Sequence, residues 1–388
     1  MGIRFGVDTL LSNPPNWKQQ RIGFLTNDAA KTTAQIQSRK ALIDAGFNVV
    51  KLFSPEHGID TKGADGAKMY DSKDPITGLP IISLYGNKFA PTEMDLNNLD
   101  ILLFDVPDAG TRFYTYLWSM TYFMQAAAKH QLPIYILDRP NPLGGDFALA
   151  EGPYLDGSIS SFIGRFNIPI KHQCSLGELA LYFNQELQWG AKLEVIKCEN
   201  LERKHIFYDW HQPWTNTSPA IQNFEACLLY PGLCFFEATN VSVGRGTPYS
   251  FEWIGATWFN LPAITMLWQN ILRDDIKIET LTLDLTIQNQ ILPAKGIRIK
   301  VIDPVNYDAV LNGLLLVKLI KDIHPNEFNW QPYPTQANPT GKNHLSLLMG
   351  VPNAEAIFDL PLKEWMQQIM KLSTVKDWAT KMQNYTLY

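Results

Sequence analysis

Residues 100–106 (DILLFDV) constrain this chain more than any other segment. They are apolar enough to be buried on both faces, as a central strand of a parallel sheet is, and Pro107-Asp108 ends them abruptly. A stretch with helical apolar spacing follows over 116–131, and then another strand-like run over 133–137 (PIYIL). The same alternation appears upstream, with strands over 21–26, 48–54 and 79–84 and a helix over 33–45. Downstream, a helix over 175–189 opens with a capping box of Ser175 and Glu178, and a strand follows over 192–197. Repeated βα units of this kind predict an α/β fold: a Rossmann-like, mostly parallel sheet flanked by helices.

The 388 residues are more than one ordinary domain needs. We place a Rossmann-like catalytic domain over 1–250 and a smaller α+β auxiliary domain over 251–388, which completes an active-site cleft. A strand over 296–302 and a helix over 307–323 belong to the second. The net charge of -5 excludes a phosphate-backbone binder, so nucleic acid is not an expected partner. No apolar run reaches the roughly 18–20 residues needed to span a bilayer. The opening MGIRFGVDTLL lacks a basic and then apolar leader, so the expected compartment is cytoplasmic, or extracytoplasmic if a leader has been trimmed. Cys174, Cys198, Cys227 and Cys234 show no CxxC spacing and are expected as buried thiols.

In open α/β sheets ligands bind beyond the carboxyl ends of the strands, so polar residues just after strands are the first candidates. Glu56 and His57, in SPEHG (54–58), follow one such end; a desolvated carboxyl there suits a general acid, and a turn-stabilising residue is the plain alternative. Asp105, Asp108, Arg112, Tyr114 and Tyr116 follow the strongest strand. Asp108 also suits a helix cap, whereas the Arg112 fork suits capture of a substrate carboxylate. Asp138, Arg139 and Asn141 lie on a loop stiffened by Pro140 and Pro142, where Asp138 and Arg139 are alternatively paired with each other. Glu237, Asn240 and Arg245 gather around Gly244 and Gly246. No GxGxxG, P-loop, GxSxG or HExxH pattern is present, so no cofactor and no metal are expected; His172 reads as a structural or substrate-bonding residue.

The ordered motifs SPEHG (54–58), DVPDAGTRFYTY (105–116), DRPNPLGG (138–145), EGP (151–153), YPG (230–232) and EATNVSVGRGT (237–247) resemble those of the NamZ-type exo-β-N-acetylmuramidases, glycoside hydrolase family 171. The resemblance runs from Phe5 to Ala256 and more faintly through 296–301. It implies exo-acting release of N-acetylmuramic acid from the non-reducing ends of peptidoglycan fragments, without a cofactor. The proposed catalytic glutamate of the family's PEHG motif maps onto Glu56, and the glutamate of its EGTN motif maps onto Glu237. This chain reads EATN, which adds a Cβ beside Glu237, and Ile59-Asp60-Thr61 departs from the family's EHGxRG continuation, where a basic contact is expected.

On this reading Glu56 is the general acid. Its partner is Glu237, one of Asp105, Asp108 and Asp138, or the substrate's own acetamido group. Arg112, Arg139 and Arg245 are candidates for the lactyl carboxylate, and His57, Tyr114, Tyr116, Asn141, Glu151, His172 and Asn240 complete the expected substrate-binding set. A non-catalytic binding protein for cell-wall saccharides is the alternative. It would keep the arginines and aromatics and tolerate loss of Glu56.

Overall fold

The computed structural model describes residues 2–271, 276–287 and 289–388. The expected βα units build one seven-stranded sheet from β1 (Ile22–Thr26), β2 (Val49–Ser54), β3 (Ser72–Lys73), β4 (Pro80–Ser83), β5 (Ile101–Asp105), β6 (Ile134–Leu137) and β7 (Leu193–Ile196). Its order is β3-β4-β2-β1-β5-β6-β7, parallel throughout except for the β3–β4 pair. Both central strands, β1 and β5, are buried at every position, which is why residues 100–106 carry no polar alternation. Thr26 lies opposite Asp105, so these two strands end level. The chain winds outward on either side of them, which makes their carboxyl ends the switch point where such sheets bind ligands.

Two elements differ from the expectation. The helix expected over 33–45 is confined to Ser38–Asp44, because Thr32 and Ile36 close a turn with Gln35 at φ +62°, which helical backbone does not allow. The strand expected over 296–302 is part of a much longer one. β8 (Trp253–Ala256), β9 (Ile276–Ile287) and β10 (Gln290–Val301) form an antiparallel sheet of order β8-β10-β9, with Ile276 opposite Val301 and Ile287 opposite Gln290. Threonines and Pro293 dilute the apolar signal there, and β9 exposes alternate positions to solvent.

The helix Ala309–Ile323 ties the C-terminal half to the N-terminal half in two ways. It crosses the helix Phe224–Leu233 at backbone contact, where a Cβ on Gly232 would lie 2.1 Å from the Ala309 carbonyl oxygen and one on Gly313 2.2 Å from the Gly232 Cα. Its first turn also donates the Ala309 and Val310 amides to the Glu151 carboxylate, at 3.0 and 2.8 Å. One continuous apolar core therefore runs from Phe104 and Trp118 to Leu316 and Trp365. All four cysteines are buried free thiols. No helix among the described residues is long and apolar enough to cross a membrane.

Candidate active site

Strand β2 stops at Ser54, and the chain turns through His57 (φ +64°) and Gly58 (φ +73°). The loop then folds back on Glu56. His57 Nδ1 lies 2.8 Å from the Gly63 carbonyl oxygen, and the Gly66 amide donates to Glu56 Oε1 at 2.8 Å. The other carboxyl oxygen accepts from the Thr115 hydroxyl at 2.6 Å, immediately before the helix Tyr116–Lys129. Glu56 is 4 % exposed and lines a pocket of about 550 Å³. Asp65, Tyr85, Tyr114, Glu237 and Arg245 share that pocket, and Tyr333, Thr335 and His344 close it from the C-terminal half.

The two nearest carboxyls are driven in opposite directions. Burial pushes the Glu56 carboxyl above its usual range, and Asp65 adds to this against the pull of His57, Thr115 and Gly66. Burial also raises Asp65, but the Arg245 guanidinium, the Tyr333 hydroxyl and His57 outweigh it and hold that carboxyl below its usual range. Arg245 is 3.3 Å from Asp65, and the Tyr333 hydroxyl donates to Asp65 at 2.7 Å. One side-chain donor atom each of Glu56, His57 and Asp65 lie within 4.8 Å of one another. On distance alone they would hold a cation. The bias of Glu56 toward its neutral form and the guanidinium beside Asp65 argue against that use.

Glu237 lies on the short 3₁₀ turn Cys234–Ala238 and is bound to Arg245, whose Nε donates to Oε1 at 2.6 Å. Burial pushes its carboxyl up despite Arg245. The Tyr333 hydroxyl, 3.4 Å away, links it to Asp65. Ala238 does not have positive φ, so the Cβ that this chain adds after Glu237 causes no backbone strain. The buried pocket ring is completed by His344, stacked on Tyr333 with centroids 4.7 Å apart and lowered to about 4 by burial, hence neutral at ordinary pH.

Two family models cover most of the chain: "Exo-beta-N-acetylmuramidase NamZ, N-terminal" matches residues 22–225 and its C-terminal counterpart residues 228–388. The chain belongs to the NamZ exo-β-N-acetylmuramidase family. The two family models part within the helix Phe224–Leu233. A curated relative, the peptidoglycan beta-N-acetylmuramidase NamZ of Bacillus subtilis (strain 168), is 36 % identical over 334 residues, 84 % of this chain and 80 % of the relative. Two crystal structures of DUF1343 family proteins from Bacteroides fragilis NCTC 9343 share the fold along the whole chain. One has a TM-score of 0.87 at 25 % identity and the other 0.67 at 27 %, each covered to 99 %.

Within this NamZ family member the residues singled out from sequence separate into groups. Glu56, His57, Tyr114, Glu237 and Arg245 meet in the Glu56 pocket. Tyr116 lies behind it, its hydroxyl donating to the Thr217 carbonyl at 2.5 Å and its ring edge-on to His57. Asp108 and Arg139 line a different pocket. Arg139 is paired with Asp105 rather than with Asp138. Asp138 instead accepts from Ser175, Gly177 and Tyr388, and burial raises it to about 6.

The expected carboxylate fork at Arg112 is not available to a ligand. Its guanidinium is fully buried and donates to the carbonyls of Pro153, Ile168 and Leu348 at 2.7–2.9 Å, pinning three segments together. Glu151 is similarly enclosed between Lys171 and the helix at Ala309. His172 bonds Asp108 at 3.1 Å, Asn141 bridges Leu143 and Cys174, and Asn240 ties down Glu327 and Asn329. None of Glu151, His172, Asn141 or Asn240 lines the Glu56 pocket.

Conversely, Asp65, Tyr85, Thr115, Tyr333 and His344 belong to the pocket and were not singled out from sequence. Thr115 stands inside a quoted motif, so a signal existed for it. Asp65 lies on a loop with no apolar periodicity, and Tyr333 and His344 arrive from a Pro-rich segment more than 260 residues away from Asp65 in the chain, a distance no local pattern bridges.

Proposed function

We propose that this chain cleaves N-acetylmuramic acid from the non-reducing ends of peptidoglycan fragments, with Glu56 as the proton donor. The observation that carries the reading is the pairing of a buried carboxyl biased toward its neutral form with an ionised one beside it. A glycosidase needs both: a proton for the departing oxygen and a standing negative charge for the oxocarbenium-like centre. A protein that only bound saccharides would have no use for a desolvated acid held by a hydroxyl and an amide.

Glu56 gives its proton to the glycosidic oxygen as the bond to the anomeric carbon breaks, and Asp65 faces the developing positive charge. A water molecule then completes hydrolysis, returning a proton to Glu56. One carboxyl oxygen of Glu56 and one of Asp65 come within 4.8 Å of each other, close enough for both acids to flank one anomeric carbon, and on this spacing we assign Asp65 the role of a retaining enzyme's second carboxylate. Glu237 and Asp65 both pair with Arg245, the one candidate guanidinium that lines this pocket, and hold it beside the acid.

The test is hydrolysis of a chromogenic N-acetylmuraminide by the wild type and by Glu56→Gln. Wild-type turnover that survives unchanged in the variant removes Glu56 from this role. The anomer of the first-formed product, followed by NMR, tests the spacing argument, because inversion requires a different second group.

A further inference from the structure

Two of the motif residues that the Glu56 pocket leaves out, Asp108 and Arg139, line a second pocket. It lies at the carboxyl ends of β1, β5 and β6, at the switch point of the sheet, and has a volume of about 550 Å³. Phe5, Lys31, Asp108, Arg139, Trp210 and Trp214 line it. The segment 215–221 separates it from the Glu56 pocket: Thr217 lines one side and Ser218 the other, and the Tyr114 hydroxyl, on the catalytic side, donates to Thr217 Oγ1 at 2.6 Å.

Three features show a built site. Two of its lining residues each carry a buried polar atom with no partner among the described residues, Asp108 Oδ1 and Trp210 Nε1. One is an acceptor and the other a donor, and leaving such groups unpaired is unfavourable unless a ligand or water satisfies them. The aromatic wall is also preorganised: Trp210 and Trp214 both pack edge-on against Phe207, at 5.3 and 5.0 Å, and Phe5 carries the Arg139 guanidinium 4.9 Å above its ring. The Arg139 charge is already matched by Asp105, so the pocket does not call for a strongly anionic occupant.

We propose that this pocket is a second, non-catalytic saccharide site that takes an N-acetylated hexosamine. An acetamido group carries one N–H donor and one carbonyl acceptor, the complement of the unpaired carboxylate oxygen and indole N–H, and the pyranose ring offers an apolar face to the tryptophans. The choice of sugar rests on the peptidoglycan reading above, whereas the existence of the site does not. A substrate that loses one N-acetylated sugar at Glu56 has another next to it in the glycan, so a site of this chemistry one segment away holds the neighbouring or released unit near the enzyme.

The experiment is titration of the full chain with N-acetylglucosamine by calorimetry, with D-glucose as control, and a crystal soaked with the same sugar. Density between Trp210 and Asp108 is expected, with glucose binding at least about tenfold more weakly. Trp210→Phe keeps a smaller aromatic face and removes the pyrrole ring together with its N–H, so it should weaken N-acetylglucosamine about 3- to 10-fold and leave chromogenic N-acetylmuraminide hydrolysis unchanged. Absence of binding, sugar found only beside Glu56, equal affinity for glucose, or a Trp210→Phe titration matching wild type overturns the proposal. Loss of activity in Glu56→Gln with this pocket still filling supports both readings separately. A wild type that binds here but hydrolyses no muraminide sinks only the catalytic one.

Discussion

The loop after β2 and the loop after β5 look alike in sequence and behave oppositely in the fold. Both leave an interior strand of the sheet, and both carry acids among turn residues. The second is the richer, with Asp105, Asp108, Arg112, Tyr114 and Tyr116 in one run. Yet most of its polar groups close on the protein itself: Asp105 on Arg139, Arg112 on three carbonyls, Tyr116 on Thr217. The first loop also bonds itself, through Gly63 and Gly66, yet Glu56 and Asp65 still line a pocket. Density of reactive side chains therefore marks a strand end as structurally demanding, and the candidate site sits where the acids also line a pocket.

If that contrast is right, changes in the first loop should cost activity at constant stability, and changes in the second should cost stability first. The largest effect is expected at Glu56→Gln, a fall in kcat of about 10²–10⁴-fold with an unchanged thermal midpoint. A variant that melts early would erase the distinction. Arg112→Met should do the reverse. Three buried carbonyls lose their donor, so chemical denaturation should show a loss of at least about 3 kcal/mol, with kcat near wild type in whatever remains folded. A stable but inactive Arg112→Met would return that arginine to the substrate.

Asp65→Asn sharpens the same comparison through pH. In the proposed mechanism Glu56 must carry its proton, so activity is lost as pH rises through its raised pKa. Asp65 must be ionised, so activity is lost as pH falls through its depressed one. The wild-type profile should be bell-shaped, and Asp65→Asn should lower kcat by about 10²-fold and abolish the acidic limb while keeping the alkaline one. An acidic limb that persists assigns it to another group. The smallest effect belongs to Tyr116→Phe, which deletes one buried hydrogen bond: about 1 kcal/mol of stability, with kcat and KM as in wild type.

Much of the sheet was legible because burial on both faces leaves a continuous apolar signature, as in β1 and β5, and because the capping box at Ser175 and Glu178 forms as the sequence predicts. The hairpin of β9 and β10 was half missed, since a strand with one solvated face and a proline in its partner carries a weaker mark. Glu56 was legible because its strand end and its motif coincide.

By itself the sequence determined which segments become central strands, where their carboxyl ends fall, and which family the motifs resemble; these are local or ordered properties written along the chain. Only the tertiary structure decided which of the polar residues at those ends line a pocket. Asp65, Tyr333 and His344 reach Glu56 through contacts between distant segments, and Arg112 is withdrawn by carbonyls 41, 56 and 236 residues away. The energy that assigns a charge to structure or to chemistry is set by its neighbours in space, and those neighbours exist only once the chain has folded.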